Sequence, residues 1–365
     1  VTDIYRRLAA HLDKLSIPFP STEDNLELKL LKVWFDPKEA EIALNMTPLP
    51  EPVAVIARRM GESAEQLAPV LKKMSHKGLI FRAARHETRK NDHPEWLYNL
   101  VPMAEGMWEF HMNSTHEDEV EMVNEYIEFF MESSWYKTDT SQHRVVPISK
   151  SIQAGFDILP YDHAEKIIRS QTKISVAHCI CRKQAQMLGK GCDHPSEVCL
   201  AFGTGAYYYI ENGLGREVSQ EEALDILRTG MEAGLVLQPG NGQRVWGICM
   251  CCTCGCQLLR ALKKMPKPAR MAHTNFNAVC SDTHCTACGT CVDLCPMEAI
   301  EIIENAASVN IDRCIGCGVC VASCDFDAIA LHQKSAKEHY TPPKDIVEMH
   351  KRVAAERITL RGKHS

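Results

Sequence analysis

Apolar residues recur at helical spacing through the first third of the chain, and at strand spacing only in short runs. Ile4, Leu8, Leu12 and Leu15 form one stripe of a helix over residues 2–15, which Ser16-Ile-Pro-Phe-Pro ends. Four more helices are predicted over Leu26–Trp34, Pro37–Leu44, Pro52–Met60 and Ala64–Lys77. The last opens on the turn and cap signals of Gly61-Glu-Ser-Ala-Glu-Gln and closes at Gly78. Leu79-Ile-Phe, a polar turn near Asn91 to Pro94, and Trp96-Leu-Tyr then read as a hairpin.

Further along, Val120, Val123, Ile127 and Phe130 share one side of an acidic helix over 116–133, the side expected to pack on its neighbours. Arg144-Val-Val-Pro-Ile is extended. Helices over Asp162–Ser170 and Ser219–Ala233, the second opened by the cap pattern Ser219-x-x-Glu222, alternate with strands at Lys173–Ala177 and Leu235-Val-Leu. Asn241-Gly242 turns the chain into a strand over Arg244–Ile248, Lys264-Met-Pro-Lys-Pro-Ala is a linker, and Lys344–Arg357 is a final helix. The expected class is α+β, divided into an N-terminal helix (1–23), a winged-helix-like domain (24–110), a helical and extended connector (111–160), a cysteine-rich mixed α/β middle domain (161–265), a small cysteine-rich domain (270–334) and a helical tail (335–365).

Composition narrows the function. A chain of 365 residues has length for two or three real cores, and its formal charge of −6 gives no global reason to expect nucleic acid or anionic membranes as partners. A winged helix suggests DNA, with Ala64–Lys77 as recognition helix, but acid and base are near balance in this segment and Glu62 and Glu65 stand where phosphate contacts would be. A module that docks protein is the favoured reading. Val1-Thr-Asp-Ile-Tyr-Arg-Arg has no apolar signal core, and no run approaches the roughly 18 apolar residues of a membrane span, so a cytoplasmic, oxygen-sensitive protein is expected. No phosphate-cradling glycine motif is present, and neither flavin nor nucleotide is expected.

Eighteen cysteines carry the candidate chemistry. Eight of them form two runs, Cys285, Cys288, Cys291 and Cys295 followed by Pro296, then Cys314, Cys317, Cys320 and Cys324, each with the spacing C-x2-C-x2-C-x3-C. Four-cysteine zinc sites are the bland alternative, but three tightly spaced cysteines with a more distant fourth, used twice, fit zinc poorly. Residues 277–334 resemble the bacterial 2[4Fe–4S] ferredoxins, with Cys285-Thr-Ala-Cys-Gly-Thr-Cys-Val-Asp-Leu-Cys echoed by Cys314-Ile-Gly-Cys-Gly-Val-Cys-Val-Ala-Ser-Cys. The resemblance implies one [4Fe–4S] cluster on Cys285, Cys288, Cys291 and Cys324, and another on Cys314, Cys317, Cys320 and Cys295. It departs from that family at Asp325, where a proline usually follows the last cysteine; an ionised Asp325 is expected to lower the potential of the first cluster.

Nine more thiols crowd the middle segment: Cys179, Cys181, Cys192, Cys199, Cys249, Cys251, Cys252, Cys254 and Cys256. Packing does not explain such density, whereas soft metals do. One or two further iron–sulfur clusters are expected ahead of zinc. The first four cysteines and four of the last five form one grouping, and ligands shared between the two strand ends form another. Adjacent Cys251 and Cys252 diverge if the segment is extended, so one faces elsewhere. Cys280 reads as an ordinary buried cysteine, His178 and His194 as hydrogen-bonded or surface histidines ahead of ligands, and Arg182 equally as a partner of a cluster sulfur or as half of an ion pair.

Over nearly its whole length the chain resembles a broad group of iron–sulfur proteins of anaerobic bacteria. The residues carrying this are Leu30-Leu-Lys-Val-Trp-Phe-Asp-Pro-Lys-Glu-Ala-Glu, Cys179-Ile-Cys-Arg, Gly191-Cys-Asp-His-Pro-Ser-Glu-Val-Cys, Ile210-Glu-Asn-Gly-Leu-Gly-Arg and the 249–256 segment. That group is defined by its clusters and not by a substrate; the leading reading of a chain of clusters is an electron-transfer protein, a subunit or partner of an anaerobic oxidoreductase, with redox proteins as partners and no small-molecule substrate or catalytic residue of its own. Two other readings are a redox-sensing winged-helix regulator and an oxidoreductase with a substrate-binding cluster near Arg182, His194 or Tyr207.

Overall fold

Local signals set the first elements in the computed structural model, which describes residues 3–90, 92–151 and 159–362. Asn91 of the expected turn, and residues 1–2, 152–158 and 363–365 of the expected end and connector segments, lie outside the described residues. Asp3 caps α1 (Ile4–Leu12) by accepting from the Tyr5 amide. After α2 (Leu26–Trp34), Asp36 and Glu39 close a capping box on α3 (Pro37–Leu44). The chain continues through β1 (Glu51–Pro52), α4 (Val53–Met60), α5 (Ala64–His76), β2 (Ile80–Ala84), β3 (Trp96–Leu100), α6 (Trp108–Phe110) and α7 (Glu117–Phe130). Next come α8 (Ala164–Arg169), β4 (Ile174–His178), α9 (Ile180–Met187), β5 (Glu197–Phe202), α10 (Thr204–Glu211), β6 (Gly215–Glu217), α11 (Gln220–Glu232), β7 (Val236–Pro239), β8 (Gly247–Cys251), α12 (Gln257–Lys264) and α13 (Pro268–Met271). The last are β9 (Phe276–Cys280), α14 (Thr290–Asp293), β10 (Ile300–Ile303), β11 (Ala306–Val309), α15 (Val319–Ala322), β12 (Ile329–Gln333) and α16 (Ile346–Gly362). The class is mixed α+β, and among the described residues no helix is long and apolar enough to cross a membrane.

Two units partition this order. The first holds Val1–Thr138, Tyr207–Arg216 and Val353–Ser365. Its helices α1, α2 and α3 pack together, and α4 and α5 lead into an antiparallel sheet of order β1-β3-β2. An aromatic cluster closes it: Tyr208 stacks on Phe81 at 4.7 Å while its hydroxyl donates to the carbonyls of Ser75 and Ile80.

The second unit holds Asp139–Ala206 and Glu217–Arg352, and therefore all eighteen cysteines. Its strands β4, β5, β8 and β7 are paired in that order, each antiparallel to the next. Helices α8 and α11 lie on one face, where Val198, Leu200, Ile248 and Met250 join Ile168, Leu224 and Leu227 in the core. Contact is close: a Cβ on Gly230 of α11 would stand 2.5 Å from Met250 Sδ. Ser219 Oγ accepts from the Glu222 amide, as the sequence pattern predicts. The strand expected over Arg244–Ile248 starts instead at Gly247, because the Gln243 and Arg244 amides donate to the carbonyls of Pro343 and Lys344 and not to a neighbouring strand of the sheet. Beyond α13 come two small antiparallel ladders, β9 with β12 and β10 with β11.

Candidate metal centres

In the C-terminal part, short loops gather thiols before one-turn helices. Gly289 and Gly318 hold left-handed backbone (φ +83° and +78°) at the starts of α14 and α15, the conformation that lets each loop curl round its own cysteines. Cys285, Cys288 and Cys291 line one cavity together with Cys324, which follows α15. Cys314, Cys317 and Cys320 line a second with Cys295, which follows α14. The two cavities are of similar size.

Backbone amides aim at the sulfurs. Ala307 N donates to Cys285 Sγ (3.3 Å), Ala299 N to Cys295 Sγ (3.2 Å) and Ala278 N to Cys314 Sγ (3.3 Å). Such donors favour thiolate over thiol. Cys285 is held below its usual pKa by the Ala287 and Ala307 amides, and Cys288 by the Thr290 hydroxyl and amide. Burial acts oppositely in the second cavity, pushing Cys317 up to about 12 and Cys320 well above the normal thiol range. A metal taken up there must displace those protons. Among the described residues no carboxylate lines either cavity, and a thiolate set with amide donors fits an iron–sulfur cube. Cys280, on β9, also lines the first cavity, and burial followed by the nearby Cys285 pushes it up to about 11.

The sheet of the same unit sorts the other nine thiols. Cys179 and Cys256 sit at the N-caps of α9 and α12, each following a strand, β4 or β8. Cys181 is within hydrogen-bonding reach of both, and Cys251 of both Cys249 and Cys256. This first group draws thiols from both strand ends. Side-chain alternation leaves Cys249 and Cys251 on the face opposite Ile248 and Met250. Cys199 lies within β5, next to Leu200, which pairs with Ile248 of β8.

Cys252 turns the other way. Beyond β8 the chain makes one turn, Cys256 N donating to Cys252 O at 3.0 Å, and Cys252 meets Cys192 at an Sγ–Sγ distance of 3.8 Å. Cys254 Sγ lies 3.6 Å from His194 Nδ1. The ligand atoms of Cys192, His194, Cys252 and Cys254 all fall within 4.8 Å of one another. His194, expected as a surface or hydrogen-bonded residue, thus stands among the thiols, whereas His178 bonds Ser196 Oγ. Arg182 lies between the two groups, 4% exposed, with Nε donating to Cys252 Sγ (3.4 Å) and its two terminal nitrogens to the carbonyls of Pro195 and Met250. Burial opposes its charge, but the Cys179, Cys252 and Cys251 sulfurs more than reverse this and hold its pKa above normal. Tyr207 belongs to the first unit, where Arg89 stands over its ring.

Residues 284–329 match the family described as a 4Fe-4S dicluster domain. The C-terminal module is of the ferredoxin type. No curated protein and no solved structure matches the chain. Within the ferredoxin module the two sites differ in solvent contact: Cys288 is exposed and Cys285, Cys291 and Cys324 half-buried, whereas Cys314, Cys317 and Cys320 are buried and only Cys295 of the second set is half-buried. Lys334 is the cation facing Cys314. Asp325 is exposed, so water screens whatever its carboxylate does to the first site.

Proposed function

We propose that this chain is an electron-transfer subunit or partner of an oxidoreductase, with Cys285, Cys288, Cys291 and Cys324 holding one [4Fe–4S] cluster and Cys314, Cys317, Cys320 and Cys295 the other. The observation that carries this is the crossed arrangement, in which each cavity takes three thiols from one run and the fourth from the other run. Such clusters, when bound, accept and release single electrons. The chain fixes where they do so. Crossing ties each site to both loops. The first site opens to solvent at Cys288 and is rimmed by exposed Ile302 and Phe326, a surface suited to an apolar contact with a redox partner. The second keeps three of its four thiols buried.

Three finer points belong to the same reading. The group of Cys179, Cys181, Cys249, Cys251 and Cys256 has enough converging thiols for a further cluster. Helices α4 and α5 with the β2–β3 hairpin form a winged-helix-like module that docks protein, because Ser63 caps α5 with Glu65 in its first turn, a poor seat for phosphate. The partner supplies catalysis. The test is reduction of anaerobically purified protein by a low-potential donor, followed by iron, sulfide and spin counts. About eight irons and eight sulfides in the ferredoxin module, with two reducible spin systems, are expected. A Cys324→Ala variant should lose the open cluster on Cys285, Cys288 and Cys291; loss of the cluster on Cys314, Cys317 and Cys320 instead, or of neither, overturns the crossed assignment, and a protein that takes up iron but no electron overturns the function.

A further inference from the structure

Electron transfer leaves one constellation without a role. Cys192 and His194 sit on the loop between α9 and β5, and Cys252 and Cys254 on the turn between β8 and α12. Four such ligands suit two kinds of centre, and geometry separates them. A cube puts each ligand on its own iron, so its four donor atoms stand apart at four corners. A single tetrahedral ion draws them together. With Zn–S near 2.3 Å and Zn–N near 2.0–2.1 Å, tetrahedral angles require S···S of about 3.8 Å and S···N of about 3.6 Å. The structure has 3.8 Å between Cys192 and Cys252 and 3.6 Å between Cys254 and His194, with every donor within 4.8 Å of every other. The sulfurs are far too distant for a disulfide, whose bond is about 2.05 Å.

We propose that Cys192, His194, Cys252 and Cys254 bind one zinc ion as a closed, structural Cys3His site, distinct from any cluster in this protein. Charge supports it. Three thiolates on a divalent ion leave one negative charge, and the buried Arg182 guanidinium, donating to Cys252 Sγ at 3.4 Å, neutralises it. The same side chain ties down both ligand-bearing segments through Pro195 O and Met250 O. Three sulfurs and an imidazole in tetrahedral array select zinc over harder divalent ions, and four protein ligands leave no open position for substrate. The ion would pin the 188–196 loop, which contains neither helix nor strand, to the end of β8. Adjacent Cys251 and Cys252 then serve different centres, consistent with their divergent directions.

The inference is independent of the electron-transfer reading, and its test keeps the two apart. Zinc and iron are measured on the full chain purified without added metal, and the zinc edge is examined by X-ray absorption. About one zinc per chain in a shell of three sulfurs and one nitrogen is expected. His194→Ala and Cys254→Ser should each lose most of that zinc while iron, sulfide and the reduced spin signals stay unchanged, and His194→Cys should retain zinc with four sulfurs. A zinc content near zero, a zinc shell of oxygen and nitrogen only, or iron lost in step with either ligand variant overturns the proposal. The absorption measurement on the unaltered protein decides the matter even if the variants fail to fold.

Discussion

Gly289 and Gly318 occupy the same place in the two cysteine loops and the same left-handed backbone, yet adding one methyl group to each should have very different effects. The backbone cost is common to both, about 1–2 kcal/mol for a side chain in that region. At Gly289 a Cβ meets nothing within 4 Å. At Gly318 it collides with Ser151 Oγ, stands 2.5 Å from Ser151 Cβ and 3.2 Å from Leu331 Cδ1. Rotation of Ser151 does not relieve a collision with its Cβ, and its buried hydroxyl is committed to Ile148 O at 2.6 Å. The Ser149–Ser151 turn must therefore move, and Ile148 N is itself bonded to the carbonyl of Cys317 at 3.0 Å. Overpacking costs about 1–3 kcal/mol and a broken buried hydrogen bond about 1 kcal/mol more, so Gly318→Ala should be worse than Gly289→Ala by about 2–4 kcal/mol. That is a factor of about 30 to 1,000 in occupancy of the second site. Iron and sulfide per chain, with spin counts after reduction, should show Gly318→Ala short of about four irons and Gly289→Ala unchanged. Equal losses in the two variants, or none in Gly318→Ala, would refute the reasoning.

Other consequences are open to measurement. Arg144→Met strips the partner from Asp162, which is 2.6 Å away and nearly as buried, and should destabilise the second unit by about 3–5 kcal/mol in thermal unfolding, with much of the loss recovered when Asp162 is replaced by Leu as well. Asp325→Asn should raise the potential of the more exposed cluster by at most ~40 mV, since a charge about 4 Å away is worth ~1 kcal/mol in water; a shift several times larger in a redox titration would contradict the exposed placement. Burial lowers His111 to about 4 and raises Glu109 to about 7. Acidification from 6.5 to 4.5 therefore protonates His111 only in the unfolded chain, a destabilisation of about 1.4 kcal/mol per pH unit, while Glu109, already protonated when folded, offsets it by a similar amount. Glu109→Gln removes the offset, so its stability should fall more steeply than that of the unaltered protein over this range, as denaturant titrations at several pH values would show.

What could be read from the sequence follows the range of the interactions involved. The early helices and the Ser219 cap depend on residues a turn apart, and they formed where periodicity and capping place them. The eight ferredoxin cysteines were legible for the same reason. Strand β5 was missed because Glu197-Val-Cys-Leu-Ala-Phe looked like the end of a ligand segment, and α9 and α12 because each starts at a cysteine, Cys179 or Cys256, that was counted only as a ligand. His194 could not be paired with Cys254 from spacing alone, since 60 residues separate them and only the antiparallel placing of β5 beside β8 brings their loops together.

The repeat itself shows where local reading stops. Ala287 and Gly316 hold equivalent positions in the two loops with similar positive φ, +55° and +63°. In the first loop an alanine accepts the backbone strain. In the second a Cβ would collide with Phe276 O and stand 2.6 Å from Thr274 Oγ1, because the chain entering β9 passes directly against that loop. The loop's own sequence contains no trace of that neighbour, yet it is the neighbour that requires glycine. The same difference in surroundings leaves the first site open to a partner and the second enclosed. Two nearly identical cysteine patterns therefore become unlike centres through packing, and in the more buried site, where added negative charge is poorly solvated, Lys334 offsets part of the cost of reduction. Lys334→Met removes that offset, and it should lower the potential of the enclosed cluster while leaving the open one where it was.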